Sequence, residues 1–277
     1  MSNSQPVPKT INVPADCTTI QEAIDAAIDG DTVVVAQGTY KECIDFIGKA
    51  ITVRSSVPHM PETVAGTVID GGGSGSVVTF ASRERDTSVL MGFTLTHGGG
   101  TQLPDGTRVG GGIYCEGTSP TISNNRITDN ESDKGGGLYC YQSAAVIAGN
   151  TIADNSARWG GGGVYCESSS PVISTNIVRG NKAETGNGGG IYCEGGSPAV
   201  ATNTICDNRC DNAGGGVCCV QCSPTIAGNT IDRNTVADSG NGGGIFYTDA
   251  AVLPGVHVVT VVCNLITGNR GGDYGGG

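Results

Sequence analysis

Residues 110–130, GGGIYCEGTSPTISNNRITDN, are written again and again along the rest of the chain. Aligned on the aliphatic residue after the glycines, the copies begin at Ile113, Leu138, Val164, Ile191, Val217 and Ile245, in steps of 25, 26, 27, 26 and 28 residues. One asparagine row follows at a fixed offset: Asn125, Asn150, Asn176, Asn203 and Asn229, with Asn264 delayed by an insertion. A second row, Asn130, Asn155, Asn181, Asn208, Asn234 and Asn269, comes five residues later. A fixed period with no helix-length apolar segment inside it specifies a solenoid, in which each repeat buries its apolar face against its neighbours.

Strand alternation gives the phase of each coil. If Ile113 points inward, Tyr114 points outward, Cys115 inward and Glu116 outward. A second strand buries Ile122, Ile147, Ile173, Val200 and Ile226, and a third Ile127, Ile152, Val178, Ile205 and Ile231. Three short strands and three turns per repeat are therefore expected, with about nine coils stacked at ~4.8 Å. The 47 glycines fall at fixed places in the repeat, which argues for tight bends rather than disorder. Stacked asparagines can pass amide hydrogen bonds from coil to coil.

Upstream, TTIQEAIDAAIDGDTVVV reads as a short helix capped by Thr18 or Thr19, followed by a strand at Val33–Val35. Its apolar face is Ile20, Ala23, Ile24, Ala27 and Ile28, suited to covering the open first coil. One domain is expected: an N-terminal arm (1–16), a capping helix (17–32), irregular coils (33–109) and regular coils of about 26 residues (110–277). Residues 101–109 read as a polar loop.

Five of the twelve cysteines, Cys115, Cys140, Cys166, Cys193 and Cys219, share one inward position. Stacked at strand spacing, they form a free-thiol ladder rather than disulfides, which need a closer Cβ approach. Cys206, Cys210, Cys218 and Cys222 crowd into adjacent coils, where a disulfide remains open. Their spacing does not make paired zinc knuckles.

The opening TTIQEAIDAAIDGDTVVV…GTY and the GGG-aliphatic-YC…N-x-I-x-x-N repeats resemble the pectin-lyase-like right-handed parallel β-helix proteins over residues 17–277. They are most similar to repeat-rich extracellular members and to the repeats of polymorphic outer-membrane proteins. The resemblance implies an all-β, single-stranded right-handed parallel β-helix with a short N-terminal capping α-helix. It also implies a secreted or cell-surface location, although MSNSQPVPKT lacks the basic start and apolar run of a secretory signal. The fold hosts lyases, hydrolases, epimerases and adhesins alike, so activity must be argued from a site.

A net charge of −11 argues against nucleic acid as partner. No stretch is long and apolar enough to read as a transmembrane segment. Tyr114, Tyr139, Tyr165 and Tyr192 form an outward row, beside a second row with Glu116, Glu167 and Glu194. Exposed, stacked tyrosines flanked by acids would suit a polysaccharide or cell-surface polymer; aromatic preference for strands explains the same row without a ligand. Glu167 and Glu194 lie in neighbouring coils and would suit a calcium ion or an acid/base couple, or a solvated face. Asp129, Asp154 and Asp207 read as turn residues.

No residue matches a catalytic signature of the resembling enzymes. Lysines are few, and His59, His97 and His257 are far apart. The leading expectation is a non-catalytic binding protein. The alternatives are a polysaccharide lyase or uronate epimerase, calcium-dependent in the lyase case, and a structural spacer. At the far end, Gly275–Gly277 repeat the glycines that open a coil, and the insertion at 248–256 precedes the last apolar run. A longer solenoid of which this chain is a fragment, self-association through an open C-terminal coil, or a lid made by the insertion is expected there.

Overall fold

In the computed structural model, residues 7–84, 86–237, 239–249 and 257–272 are described. They wind into a right-handed parallel β-solenoid of about 9 turns. Four sheets run along its axis, here named A to D, with ten, nine, eight and seven strands respectively. The first regular coil shows the order: Ile113–Glu116 in sheet C, Thr121–Ser123 in A, Arg126–Thr128 in B and Glu131–Lys134 in D. Each strand pairs in parallel register with its counterpart one coil on, as in Ile113 with Leu138, Tyr114 with Tyr139 and Cys115 with Cys140.

The phase read from the sequence is the one observed. Ile113, Cys115, Ile122, Ile127 and their equivalents through the fifth regular coil are buried in one continuous core. All twelve cysteines are free thiols, the five-member ladder among them. Cys206, Cys210, Cys218 and Cys222 form no disulfide.

The regular coil has four strands, not three. Sheet D forms a side lobe whose small buried cluster, Ala183, Cys210 and Val236, is separate from the main core. It begins not with a loop at 101–109 but with an antiparallel pairing of Thr101–Gln102 with Arg108–Val109. The chain returns from this lobe to sheet C through the glycine triplet, and the triplet has steric reasons. The first glycine of the third regular coil, Gly161, has φ +60°, and a Cβ there would lie 2.7 Å from the Tyr165 Cβ. The second, Gly162, would meet the Gly189 carbonyl of the next coil at 2.5 Å.

At the N-terminus, helix α1 spans Ile20–Ala26. Thr19 caps it in a reciprocal capping box with Glu22, and Ile20, Ala23 and Ile24 seat it on the first coil. Ile28, expected on that face, lies past the helix end and is exposed. Residues 10–13, expected in an extended arm, form a strand paired with Thr32–Val35, so the helix covers a coil that starts earlier. Helix α2, Pro61–Gly66, sits on an excursion between sheets A and B. Of the charged turn at 83–86, Glu84 is buried and accepts from the Gly48 and Ser82 N–H groups; Arg85 lies outside the described residues.

The last described coil is open. Val261 and Ile266, in register with the buried Ile226 and Ile231, are 46% and 38% exposed. Residues 250–256, most of the expected lid, and Gly275–Gly277 lie outside the described residues.

Both asparagine rows are continuous amide ladders inside the corners on either side of sheet B. Each Nδ2 donates to the Oδ1 of the next coil's asparagine at 2.9–3.2 Å. Asn181 is typical. Its Oδ1 accepts from the backbone N and the Nδ2 of Asn155, and its own Nδ2 donates to the Ile152 carbonyl and to Asn208. Positions just before the ladder residues need positive φ, and hold Asn124, Asp129, Asp154, Thr175, Thr202 and Asp207. The aspartate row is thus turn chemistry.

Asn181→Ala would strand buried donors of Asn155 and the Ile152 carbonyl at once. It should destabilise the protein by about 3 kcal/mol or more, read as a lowered denaturation midpoint, whereas Thr204→Ala on the exposed face should shift it by under about 0.5 kcal/mol. In the native state a thiol reagent should label the exposed Cys43 and Cys263 at once. The ladder thiols should react only on unfolding.

Candidate functional site

The outer side of sheet C meets the side lobe at a re-entrant corner, and the tyrosine row fills it. Tyr114, Tyr139, Tyr165 and Tyr192 make a cluster distinct from the main core, closed by Val109 and Cys218. Their rings follow one another at centroid distances of 6.1, 5.4 and 4.7 Å. Only the first pair is stacked; the other two are tilted, at interplanar angles of 36° and 46°. The expected exposure is absent: the four residues are only 3–8% exposed. They point away from the coil interior, as the strand phase required, but the unforeseen fourth strand walls them in.

Their hydroxyls reach the carboxylate row. Tyr114 donates to Glu116, Tyr139 to Glu167 Oε2 at 2.8 Å, and Tyr165 to Glu194 Oε2 at 3.0 Å. Tyr192 approaches the same Glu194 oxygen at 3.5 Å. Lys134, from the side lobe, ion-pairs with Glu167 Oε2 at 2.9 Å and lies 5.1 Å from the Tyr165 ring centroid. Burial, reinforced by the neighbouring carboxylates, pushes all four phenols well above their ordinary range. They are therefore donors near neutral pH, not bases.

The register Glu116–Tyr141–Glu167–Glu194 forms one row across four coils. Glu116 is exposed, and the other three are half-buried. In Glu167 and Glu194 the tyrosine and lysine bonds all fall on Oε2, so Oε1 keeps its acceptor capacity toward solvent. For a calcium ion at Glu167 and Glu194 this leaves the two Oε1 atoms, with the Lys134 ammonium already on the Glu167 carboxylate. Among the described residues no group of three or more His, Cys, Asp and Glu side chains is arranged to hold a metal.

One residue of this corner, and one exposed on the lobe, escaped the sequence reading. Lys134 precedes Glu167 by 33 residues and joins it only because the lobe strands pair coil to coil. Trp159, the single tryptophan, is 42% exposed on the lobe strand Ser156–Gly160, with the Arg158 guanidinium 5.7 Å from its ring. Its uniqueness beside the repeats was the available signal. The histidines stay apart from this row: His97 pairs with Asp70, and His257 with Asp249.

Residues 111–277 match the family model described as a right handed beta helix region. The chain belongs to that family. No curated protein matches the β-helix by sequence. Among solved structures, it is similar to a pectin methylesterase from Aspergillus niger at 13% identity and a TM-score of 0.37, over 91% of this chain and 93% of that one. So loose a likeness carries nothing about activity. No described helix is long and apolar enough to cross a membrane.

Because the unfolded chain ionises Tyr114, Tyr139, Tyr165 and Tyr192 near pH 10 while burial holds these four phenols protonated in the folded chain, the unfolded state binds fewer protons there. Stability should fall as pH rises above about 10. Denaturant midpoints on either side of that pH, with phenolate absorbance followed in parallel, check this. Ionisation of all eight tyrosines near pH 10 in the folded protein, without loss of stability, would contradict it.

Proposed function

We propose that this β-helix is a secreted or cell-surface protein that binds an extended polysaccharide along the outer face of sheet C without turning it over. The observation that carries this reading is the in-register row Glu116, Tyr141, Glu167 and Glu194, whose acceptors are repeated at strand spacing. Carboxylates pinned by buried tyrosine hydroxyls are already ordered, so a polymer presenting hydroxyls meets little conformational cost in binding them. In this reading Tyr114, Tyr139, Tyr165 and Tyr192 support the acceptors and do not offer ring faces to sugars.

The enzymatic alternative, a polysaccharide lyase or uronate epimerase, needs a base over a cleft. Here Lys134 is engaged by Glu167, and the tyrosines are held neutral. An acidic row in a protein of net charge −11 also favours neutral over uronate polymers.

A glycan array should show retention of a neutral polymer, and Glu167→Gln with Glu194→Gln should weaken it about tenfold. Uronate polymers incubated with the protein should yield no unsaturated product by ultraviolet absorbance. Product formation abolished by a chelator would overturn this reading in favour of the lyase.

A further inference from the structure

A second concave surface lies away from sheet C, at the corner between sheets A and B. It is a groove of about 390 Å³, within the usual range for small-ligand sites. One wall is the excursion carrying α2, with Pro58, Pro61 and Ala65. The floor is the asparagine corner of the first two regular coils, with Asn124, Arg126 and Thr151. His59 stands at its rim.

Three observations make this a built site. The wall is fixed: the Val64 carbonyl accepts from Thr94 Oγ1 at 2.9 Å and the Thr63 carbonyl from Thr67 Oγ1 at 2.7 Å. Behind it Pro58 packs so closely on Gly92, at φ +85°, that a Cβ there would lie 2.5 Å from the Pro58 Cα. The floor is fixed by the buried ladder pair Asn125 and Asn150, and it is opened by Gly149, which stands where Asn124, Thr175 and Thr202 stand in other coils. Finally, the polar groups are unspent. Arg126 and His59 are exposed and no carboxylate lines the groove, which is notable in a chain with 26 acids and 15 Lys and Arg. Among the described residues neither of these two side chains is paired, and the side chains of Asn124 and Thr151 are also uncommitted.

We propose that this groove binds a small organic anion with one apolar face, its charged group on Arg126 and His59 and its body against the proline wall. Arg126 supplies a forked, permanently charged donor set suited to a carboxylate or sulfate. Asn124 and Thr151 add neutral donors beside it. Proline and alanine surfaces suit the C–H face of a sugar or the plane of an aromatic ring, so both bodies satisfy the same chemistry. The site is independent of the acidic row, because it lies on a different corner and has the opposite charge.

Calorimetric titration with benzoate, glucose 6-sulfate and glucose tests it. At least one of the two anions should bind saturably and glucose should not; which anion binds identifies the body. Arg126→Ala should weaken that binding about tenfold or more. Ala65→Trp, at an exposed wall position, should abolish it by filling the groove while leaving the denaturation midpoint unchanged. Glu167→Gln and Glu194→Gln should leave it untouched. Failure of both anions to bind, equal binding of glucose, or binding undiminished in Arg126→Ala and Ala65→Trp would overturn the proposal.

Discussion

The turns of a solenoid have nothing to hydrogen-bond to except the turns above and below them. Strands satisfy their backbone through the sheets, but a buried corner must find partners for N–H and carbonyl groups that no strand supplies. Here the asparagine amide answers that need. Its oxygen takes the backbone N–H of the preceding coil's asparagine, and its nitrogen returns to a strand carbonyl. With both corners of sheet B satisfied in this way, the period cannot drift without breaking two rows at once. That is why the coil length varies only between corners, in the lobe and in the insertion before His257.

The same demand for close stacking explains the glycine triplet and, through it, the character of the outer face. Backbone from the next coil comes too near the second and third glycines for any side chain. At the first, the aromatic of sheet C comes too near. The triplet therefore lets the lobe fold back against sheet C, and this turns an exposed tyrosine row into a buried one. The tyrosines then hold the glutamates, so a constraint of coil geometry becomes the arrangement of the candidate binding row.

Much of this was legible in the sequence, because the deciding signal was periodic. The repeat, the inward Ile and Cys, the outward Tyr, both asparagine rows and the capping helix follow from spacing alone. The side lobe was not read because its strands, such as ESDK, SARWG and KA, differ in length and share no alternation. Only the small residue two places after each asparagine, Ser132, Ala157, Ala183 and Cys210, marks them as partly buried. Burial of Tyr165 depends on that lobe, and the Lys134–Glu167 pair depends on its register, so neither could precede it. The groove beside α2 is further still from the sequence, since it needs an irregular excursion to lean over a regular corner.

The ladders have one more property: every contact between their side-chain amides runs the same way, the nitrogen donating to the asparagine one coil nearer the C-terminal end. The rod therefore has a mechanical grain. Pulled apart along its axis, the ladder region would part between two coils, each plane crossed by one amide-to-amide contact per row. The open last coil, with Val261 and Ile266 exposed, is where peeling would begin. A stack of this kind yields one turn at a time rather than all at once.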